Sequence, residues 1–181
     1  MKLIKPSKKT LNEVADILKN GGVIICPTDT VYGFLADTQN KKAVAKIYKI
    51  KKRPRSKPLP VFVKDIEMAK NIAFIDNKQE KILEKHWPGK TTFVLKKKNK
   101  GTIALRIPKY KFLNDLLKKI NKPLTQTSVN ISGQPALNNI KEIINQFGDK
   151  VDLIIDAGNL PKRKPSSIID LTKNKIILLR K

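Results

Sequence analysis

Apolar positions along the chain recur with two different spacings, and these predict helices and strands in alternation. Helical spacing is found over 8–20, 41–51, 112–120 and 139–147, and an Asp76–Gln79 capping pattern opens a further helix that runs to His86. Short apolar runs predict strands at 23–26, 59–63, 91–95, 103–107, 124–128, 151–155, 167–171 and 175–179. Because helices and strands interleave and some strands are joined by short turns, we expect a three-layer α/β domain around a mixed sheet.

Length and composition favour one domain, residues 1–181. The 181 residues contain no internal repeat and no break in composition. Cys26 is the single cysteine and lies within an apolar run, which excludes an internal disulfide and indicates a buried side chain in a reducing compartment. Neither a signal peptide nor an apolar stretch long enough to cross a bilayer is present. We therefore expect a cytoplasmic protein without a membrane partner.

The charge of the chain is strongly positive. Lys and Arg number 39 against 15 Asp and Glu, which gives a formal net charge of +24. A field of this sign attracts polyanions such as nucleotides and RNA. Part of the lysine can equally be solvated surface, so the charge indicates a class of partner and no particular function.

Residues 27–33, PTDTVYG, follow the predicted strand at 23–26 directly. In open α/β sheets, ligands bind beyond the carboxyl ends of strands. The hydroxyls of Thr28 and Thr30, the carboxylate of Asp29 and the phenol of Tyr32 are suited to a small polar ligand. A hydrogen-bonded turn explains the same residues equally well.

A second polar stretch combines cations with prolines. Lys51, Arg53 and Lys57 alternate with Pro54 and Pro58 after the helix at 41–51. Prolines stiffen the turn, and a phosphate clamp works best when its charges are held in place beforehand. Solvated surface is the competing interpretation in a chain so rich in lysine.

Two further strands end in polar residues. Arg106 ends the strand at 103–107, where it would bind a carboxylate bidentately or form an edge-strand ion pair. Ser128, Asn130 and Ser132 alternate after the strand at 124–128, so in an extended segment they would share one face. Such side chains suit a phosphate or ribose, or they cap the following helix.

Several other classes of site are excluded by the sequence. Gly89-Lys90-Thr91 resembles the end of a P-loop, but the glycine that the motif requires at position 84 is Glu, and a helix precedes while a strand follows. With one histidine there is no zinc-binding cluster, and neither a Ser-His-Asp order nor paired catalytic carboxylates stand out. Hydroxyls and cations at strand ends are typical of phosphoryl or nucleotidyl transfer.

Taken in order, these motifs resemble those of the YrdC-type threonylcarbamoyl-AMP synthases. The resemblance rests on seven stretches: PTDTVYG at 27–33, KKRP with KPL at 51–59, WPGKTT at 87–92, RIP at 106–108, SVNISG at 128–133, SSIID at 166–170 and the final Arg180. It implies a twisted, open, mixed parallel/antiparallel sheet flanked by helices, and a nucleotidyltransferase. The implied enzyme joins L-threonine, bicarbonate or CO2, and ATP into threonylcarbamoyl-AMP, with release of pyrophosphate. A separate transferase complex then modifies tRNA.

The resemblance also assigns roles to residues. Lys51 and Arg53 are the implied catalytic residues. The implied threonine-binding residues are Thr30, Tyr32, Arg106 and Ser166, the last with Ser167 as its alternative. The implied ATP-binding residues are Lys51, Arg53, Lys57, Thr102, Ser128, Asn130, Ser132 and Arg180. No protein metal site is expected, because Mg²⁺ would be held mainly through the phosphates of ATP.

The chain departs from the family pattern at four places, one of which is QPALN at 134–138, where a hydroxyl-rich stretch is common. Val129 replaces the usual Ala, which we expect to tighten the floor of the site, and Phe62 replaces a His common in longer relatives. Arg180 is followed by one residue instead of the usual glycine, so we expect a loosely held side chain.

Two other functions remain open at this stage. One is a non-catalytic RNA-binding or ribosome-assembly protein that uses the same basic face. The other is a carbamoyl-handling domain with a different substrate.

Overall fold

The computed structural model describes residues 1–173 and 175–181, and its helices and strands alternate as the sequence predicts. The strands are β1 (Lys2–Ile4), β2 (Ile24–Cys26), β3 (Gly33–Asp37), β4 (Val61–Phe62), β5 (Thr91–Lys96), β6 (Thr102–Arg106), β7 (Leu124–Ser128), β8 (Leu153–Ile155), β9 (Ser167–Asp170) and β10 (Ile177–Arg180). The helices are α1 (Leu11–Lys19), α2 (Lys41–Ile50), α3 (Ile66–Ile72), α4 (Asn77–His86), α5 (Lys111–Ile120) and α6 (Ile140–Phe147), and a 3-10 turn follows at Gly148–Lys150.

Within the described residues the strands form one ten-stranded sheet, in the order β1-β8-β2-β3-β7-β4-β6-β5-β9-β10. The sheet contains four parallel pairs (β1 with β8, β8 with β2, β4 with β6, β5 with β9) and five antiparallel ones (β2 with β3, β3 with β7, β7 with β4, β6 with β5, β9 with β10) among the described residues. The predicted mixed sheet is therefore confirmed.

Helices cover both faces of the sheet. In β2, Ile24 packs with α1 and α5, while its neighbour Ile25 packs with α2 and α6. Leu35 and Phe34 of β3 divide in the same way. Since successive strand residues point to opposite faces, this division places one helical layer on each side of the sheet. α3 and α4 pack with β5 and β6 in a third apolar cluster.

Three elements are absent from the prediction. β3 has buried residues on both of its faces and so lacks polar alternation. α3 is only seven residues long, and its visible start signal is Asp65, whose side chain accepts a hydrogen bond from the Met68 N–H. β1 is a three-residue strand that pairs with β8. Short or fully buried elements leave little periodicity for a sequence argument to use.

The Gly-Lys-Thr stretch has the surroundings that exclude a P-loop. α4 ends at His86 and β5 begins at Thr91, so a helix precedes the stretch and a strand follows it. Trp87 is buried and donates an indole hydrogen bond to the Thr91 carbonyl at 2.8 Å. In the part of the chain described, no helix is both long and apolar enough to span a bilayer.

Candidate active site

A cavity of about 260 Å³ lies where β2 and β7 end, beside the turn that follows α2. Most of the predicted site residues line it. Those that do are Thr30, Lys51, Arg53, Lys57, Ser128, Asn130, Ser132, Ser166 and Arg180, together with Val31, Pro60, Gln126, Thr127, Gly133, Pro165 and Ile168. The described lining contains four cations and no carboxylate. Such a cavity favours an anionic ligand.

Thr30 reaches the cavity through a hydrogen-bonded loop after β2. Thr28 Oγ1 lies 2.7 Å from the Val31 carbonyl oxygen, 3.0 Å from Thr30 Oγ1 and 3.1 Å from the Thr30 amide nitrogen. Both threonines are buried, at 4% and 2% exposure. The hydrogen-bonded turn is therefore present, and it places Thr30 in the lining of the cavity.

The structure places Arg106 behind the cavity wall instead of in its lining. The side chain is 1% exposed, and it forms an ion pair with the buried Asp29. It also donates to the Gly89 carbonyl at 2.8 Å and to Thr30 Oγ1 at 3.4 Å. Burial lowers the pKa of Arg106, and the Asp29 carboxylate opposes this lowering. The carboxylate that Arg106 holds belongs to the protein, so Arg106 meets the site through Thr30.

Tyr32, which the resemblance assigns to threonine binding, also lies outside the cavity lining. Its ring is fully buried in the apolar cluster formed with α2 and α6. Its hydroxyl donates to the Gly158 carbonyl at 2.7 Å and accepts from the Ala157 N–H at 3.0 Å. Tyr32 joins the loop after β2 to residues 157–158 and does not line the cavity.

Thr102, which the resemblance assigns to ATP binding, likewise lies outside the cavity lining. It begins β6 and is exposed, whereas Arg106 ends the same strand. Four residue steps of strand separate the two by about 13 Å. Thr102 therefore lies at the end of β6 that points away from the cavity.

Lys51 is nearly inaccessible although it faces the cavity. It is 1% exposed, and its ammonium contacts the Ser128 carbonyl at 2.5 Å, the Asn130 carbonyl at 2.9 Å and Asn130 Oδ1 at 2.7 Å. Burial, and secondarily the charge of Arg53, lower the pKa of Lys51 to about 7. Three N–H groups directed at three protein oxygens make Lys51 a residue that holds the segment after β7 in place.

Arg53 is oriented by the backbone of its own turn. Nε donates to the Lys57 carbonyl at 2.8 Å, and Nη2 donates to the Pro58 carbonyl at 3.0 Å. These bonds leave Nη1 and one N–H of Nη2 for a ligand. The side chain is half-buried.

The segment after β7 is built around Asn130. Its Oδ1 accepts from Lys51 and, at 2.8 Å, from Ser128 Oγ, and its Nδ2 donates to the Gln134 carbonyl. Ser132 Oγ is buried without a partner among the described residues. Asn139 caps α6. The interpretation that Ser128, Asn130 and Ser132 cap the following helix is therefore wrong.

The three residues Val129, Phe62 and Arg180, which depart from the family pattern, are all held within the structure. Val129 is fully buried in the apolar cluster formed with α2 and α6, so it does not form the floor of the cavity. Phe62 packs on the opposite face, and the Arg106 guanidinium lies 5.5 Å from its ring centroid. Arg180 is firmly held, because it ends β10 and donates two hydrogen bonds to the Ser166 carbonyl at 2.9 and 2.6 Å.

A second cavity of about 640 Å³ adjoins the first and shares Ser128, Asn130, Pro165 and Arg180 with it. Its wall adds the consecutive cations Lys162, Arg163 and Lys164, which the sequence did not single out. Arg163 also donates to the Asp29 carbonyl at 3.3 Å. The sequence signal that could have identified this cationic wall is the run of three basic residues directly before Pro165.

Comparison with known proteins identifies one family by its family model and by curated relatives. The model of the Sua5/YciO/YrdC family, described as "Telomere recombination", matches residues 16–181. A candidate threonylcarbamoyl-AMP synthase of Methanocaldococcus jannaschii is 39% identical over 180 residues, which cover 96% of this chain and 86% of that protein.

Solved structures of Sua5 and YciO proteins have the same fold as this chain. P. abyssi Sua5 complexed with L-threonine is 28% identical with a TM-score of 0.92, covering 99% of this chain and 57% of that one. This chain thus spans little more than half the length of that Sua5. Escherichia coli YciO is 28% identical with a TM-score of 0.90, covering 99% of this chain and 94% of that one.

Proposed function

Because this chain belongs to the Sua5/YciO/YrdC family, we propose that it is an L-threonylcarbamoyladenylate synthase, a nucleotidyltransferase. It would form threonylcarbamoyl-AMP and pyrophosphate from L-threonine, bicarbonate or CO2, and ATP. The observation that carries the proposal is the convergence of Thr30, Arg53, Asn130 and Ser166, from four separate stretches, on one cationic cavity. The product would serve a separate transferase complex that modifies tRNA. We propose that residues 1–181 act as one unit, in the cytoplasm.

The proposed chemistry divides between the two ends of the cavity. At the Thr30 end the amino acid is held and its carbamate is formed. A carbamate oxygen then attacks the α-phosphorus of ATP, the bond from this phosphorus to the β-bridging oxygen breaks, and pyrophosphate leaves with the electron pair. Arg53, Lys57 and Arg180 would stabilise the charge on the phosphates, because positioned cations are the main source of catalysis in such transfers.

No general base is needed for this step. The attacking carbamate oxygen already carries negative charge, and the described lining of the cavity offers no carboxylate to remove a proton. Lys51 would act mainly by holding Ser128 and Asn130. Ser132 Oγ, which has no partner among the described residues, would bind a phosphate or ribose oxygen.

Magnesium would enter the site with the nucleotide and be held mainly through its phosphates. Among the described residues no group of three or more His, Cys, Asp or Glu is placed to hold a metal ion. The phosphates of ATP would be its ligands, and the bound ion would neutralise part of their charge.

The test is pyrophosphate release from ATP by the purified protein, with and without threonine and bicarbonate. We expect release to require both, and Arg53→Ala to lower the rate about 10²- to 10³-fold, because a positioned donor to the transferring group is removed. Arg55→Ala is the matched control: Arg55 is exposed, lies over the Tyr48 ring at 5.8 Å and does not line the cavity. Circular dichroism would verify that both variants fold.

The alternative function predicts a different result. Salt-sensitive RNA binding without pyrophosphate release under any of these conditions would favour a non-catalytic RNA-binding protein. Release that needs bicarbonate but not threonine would instead indicate a different acceptor for the carbamoyl group.

A further inference from the structure

The hydroxyl of Thr28 has its hydrogen-bonding capacity fully used inside the protein. Thr28 Oγ1 lies 2.7 Å from the Val31 carbonyl oxygen, and a carbonyl can only accept, so Thr28 donates its single proton there. Its oxygen accepts from the Thr30 N–H at 3.1 Å. One lone pair remains, and Thr30 Oγ1 lies 3.0 Å away. Since Thr28 has no second proton, Thr30 must be the donor in this hydrogen bond.

These bonds fix the direction in which the Thr30 hydroxyl donates and accepts hydrogen bonds. Its one proton is directed at Thr28, and Arg106 Nη1 donates to one of its lone pairs at 3.4 Å. A guanidinium carries no acceptor, so this direction is also fixed. Given its partners among the described residues, the Thr30 hydroxyl keeps one lone pair for the cavity that it lines. Thr30 can therefore accept from a ligand and cannot donate to one.

We propose that Thr28 is a positioning residue that makes the substrate site selective for an amino acid whose side chain donates a hydrogen bond to Thr30. This inference rests on the proposed function and deepens it, because it states why a hydroxylated amino acid is bound. A side chain of the same shape with no oxygen cannot form the bond. One with an ether oxygen, which can only accept, meets a second acceptor and is rejected more strongly.

The experiment compares the binding of L-threonine, O-methyl-L-threonine and L-2-aminobutyrate by calorimetry in the presence of ATP. We expect the wild-type protein to prefer threonine over both analogues. In Thr28→Val the Thr30 proton is released, so Thr30 can donate to the ether oxygen. The preference for threonine over O-methylthreonine should then fall about tenfold. Because Thr28 does not line the cavity, the steric cost of the added methyl group is the same in both proteins and cancels in the comparison.

Thr28→Ser is the matched control, because it keeps the hydroxyl and should keep the wild-type preference. A preference unchanged in Thr28→Val, or abolished equally in Thr28→Ser, would overturn the proposal. A structural defect alone would weaken the binding of all three amino acids together and leave their ratio unchanged.

A measurement on the unaltered protein covers the case in which Thr28→Val does not fold. Nuclear Overhauser contacts of the hydroxyl protons, in protein labelled at threonine, should place the Thr28 proton toward Val31 and the Thr30 proton toward Thr28. The opposite arrangement would refute the inference. This result does not depend on turnover, so it stays separate from a failure of threonine-dependent pyrophosphate release, which would refute the proposed function.

Discussion

Lys51 uses its three N–H groups on protein oxygens, although its charge faces a cavity suited to phosphates. A neutral amine has only two N–H groups, so the three acceptors favour the charged form, while burial and Arg53 lower the pKa to about 7. The charge of Lys51 is thus finely balanced in the free protein. Bound phosphates would shift the balance toward the ammonium form.

We therefore expect ATP binding to take up a proton. Between pH 7 and the ordinary pKa of 10.5, the free protein holds Lys51 largely neutral and the complex holds it charged. ATP affinity should consequently fall as the pH rises above 7, by up to about tenfold per unit. Calorimetry at about pH 8.5 in buffers of different ionisation enthalpy measures the uptake.

Two variants test whether Lys51 is the group that takes up the proton. Lys51→Met should abolish the proton uptake, whereas Lys57→Met, which alters another lysine of the cavity, should retain it. A binding enthalpy of the wild-type protein that is the same in all buffers would contradict the assignment.

At the scale of elements, the end of α2 decides where the cations point. Lys52, one residue past the C-cap, has a φ of 50°, in the left-handed region that favours glycine. Its N–H bonds the Lys49 carbonyl at 3.1 Å, and the Arg53 N–H bonds the Tyr48 carbonyl at 3.0 Å. This pair of bonds is a Schellman motif, and it reverses the chain so that Lys51 and Arg53 line the same cavity.

Lys52→Gly should stabilise the protein. A non-glycine residue in the left-handed region costs about 1–2 kcal/mol, and the greater freedom of glycine in the unfolded chain returns about 0.5–1 kcal/mol of that gain. We expect a net increase of about 0.5–1 kcal/mol in the free energy of unfolding, measured with urea, and unchanged turnover because Lys52 is outside the cavity lining. Lys49→Gly, an exposed position inside α2, is the control and should destabilise by about 1 kcal/mol. Equal destabilisation by both would contradict this account of the turn.

At the scale of the whole molecule, the net charge of +24 includes the cations that line the two cavities. The smaller cavity has Lys51, Arg53, Lys57 and Arg180 in its lining, and the larger one adds the cations at 162–164. A synthase with this basic face could also bind RNA. A non-catalytic RNA-binding protein with the same face is the main alternative to the proposed synthase.

RNA binding at this face has a measurable signature. The logarithm of the affinity for single-stranded RNA should fall linearly with the logarithm of the salt concentration. Replacing Lys162 and Lys164 with Ala should reduce that slope by about 0.7 for each phosphate that is no longer neutralised. The same change at Lys118 and Lys119, exposed residues at the end of α5, should leave it unaltered. Equal effects of the two pairs would mean that RNA, if bound, meets the surface without preference for this face.

Much of this protein followed from local sequence. Periodicity predicted α1, α2, α5, α6 and most strands, because their apolar faces repeat along the chain. A capping pattern at Asp76 and Gln79 predicted α4. The polar motifs after strands predicted binding residues at Thr30, Arg106 and Asn130, because the carboxyl ends of strands collect ligand-binding loops. Thr30 and Asn130 line one cavity with Arg53 and Ser166, whereas Arg106 lies outside the lining.

Tertiary structure alone decided which side chains face that cavity and which are used inside the protein. Arg106 and Tyr32 belong to motifs of the site, yet Arg106 pairs with the buried Asp29 and Tyr32 bonds to residues 157–158. Residue type sets which hydrogen bonds a side chain can make. The partner depends on which distant groups the fold brings within about 3 Å, and no local pattern contains that information.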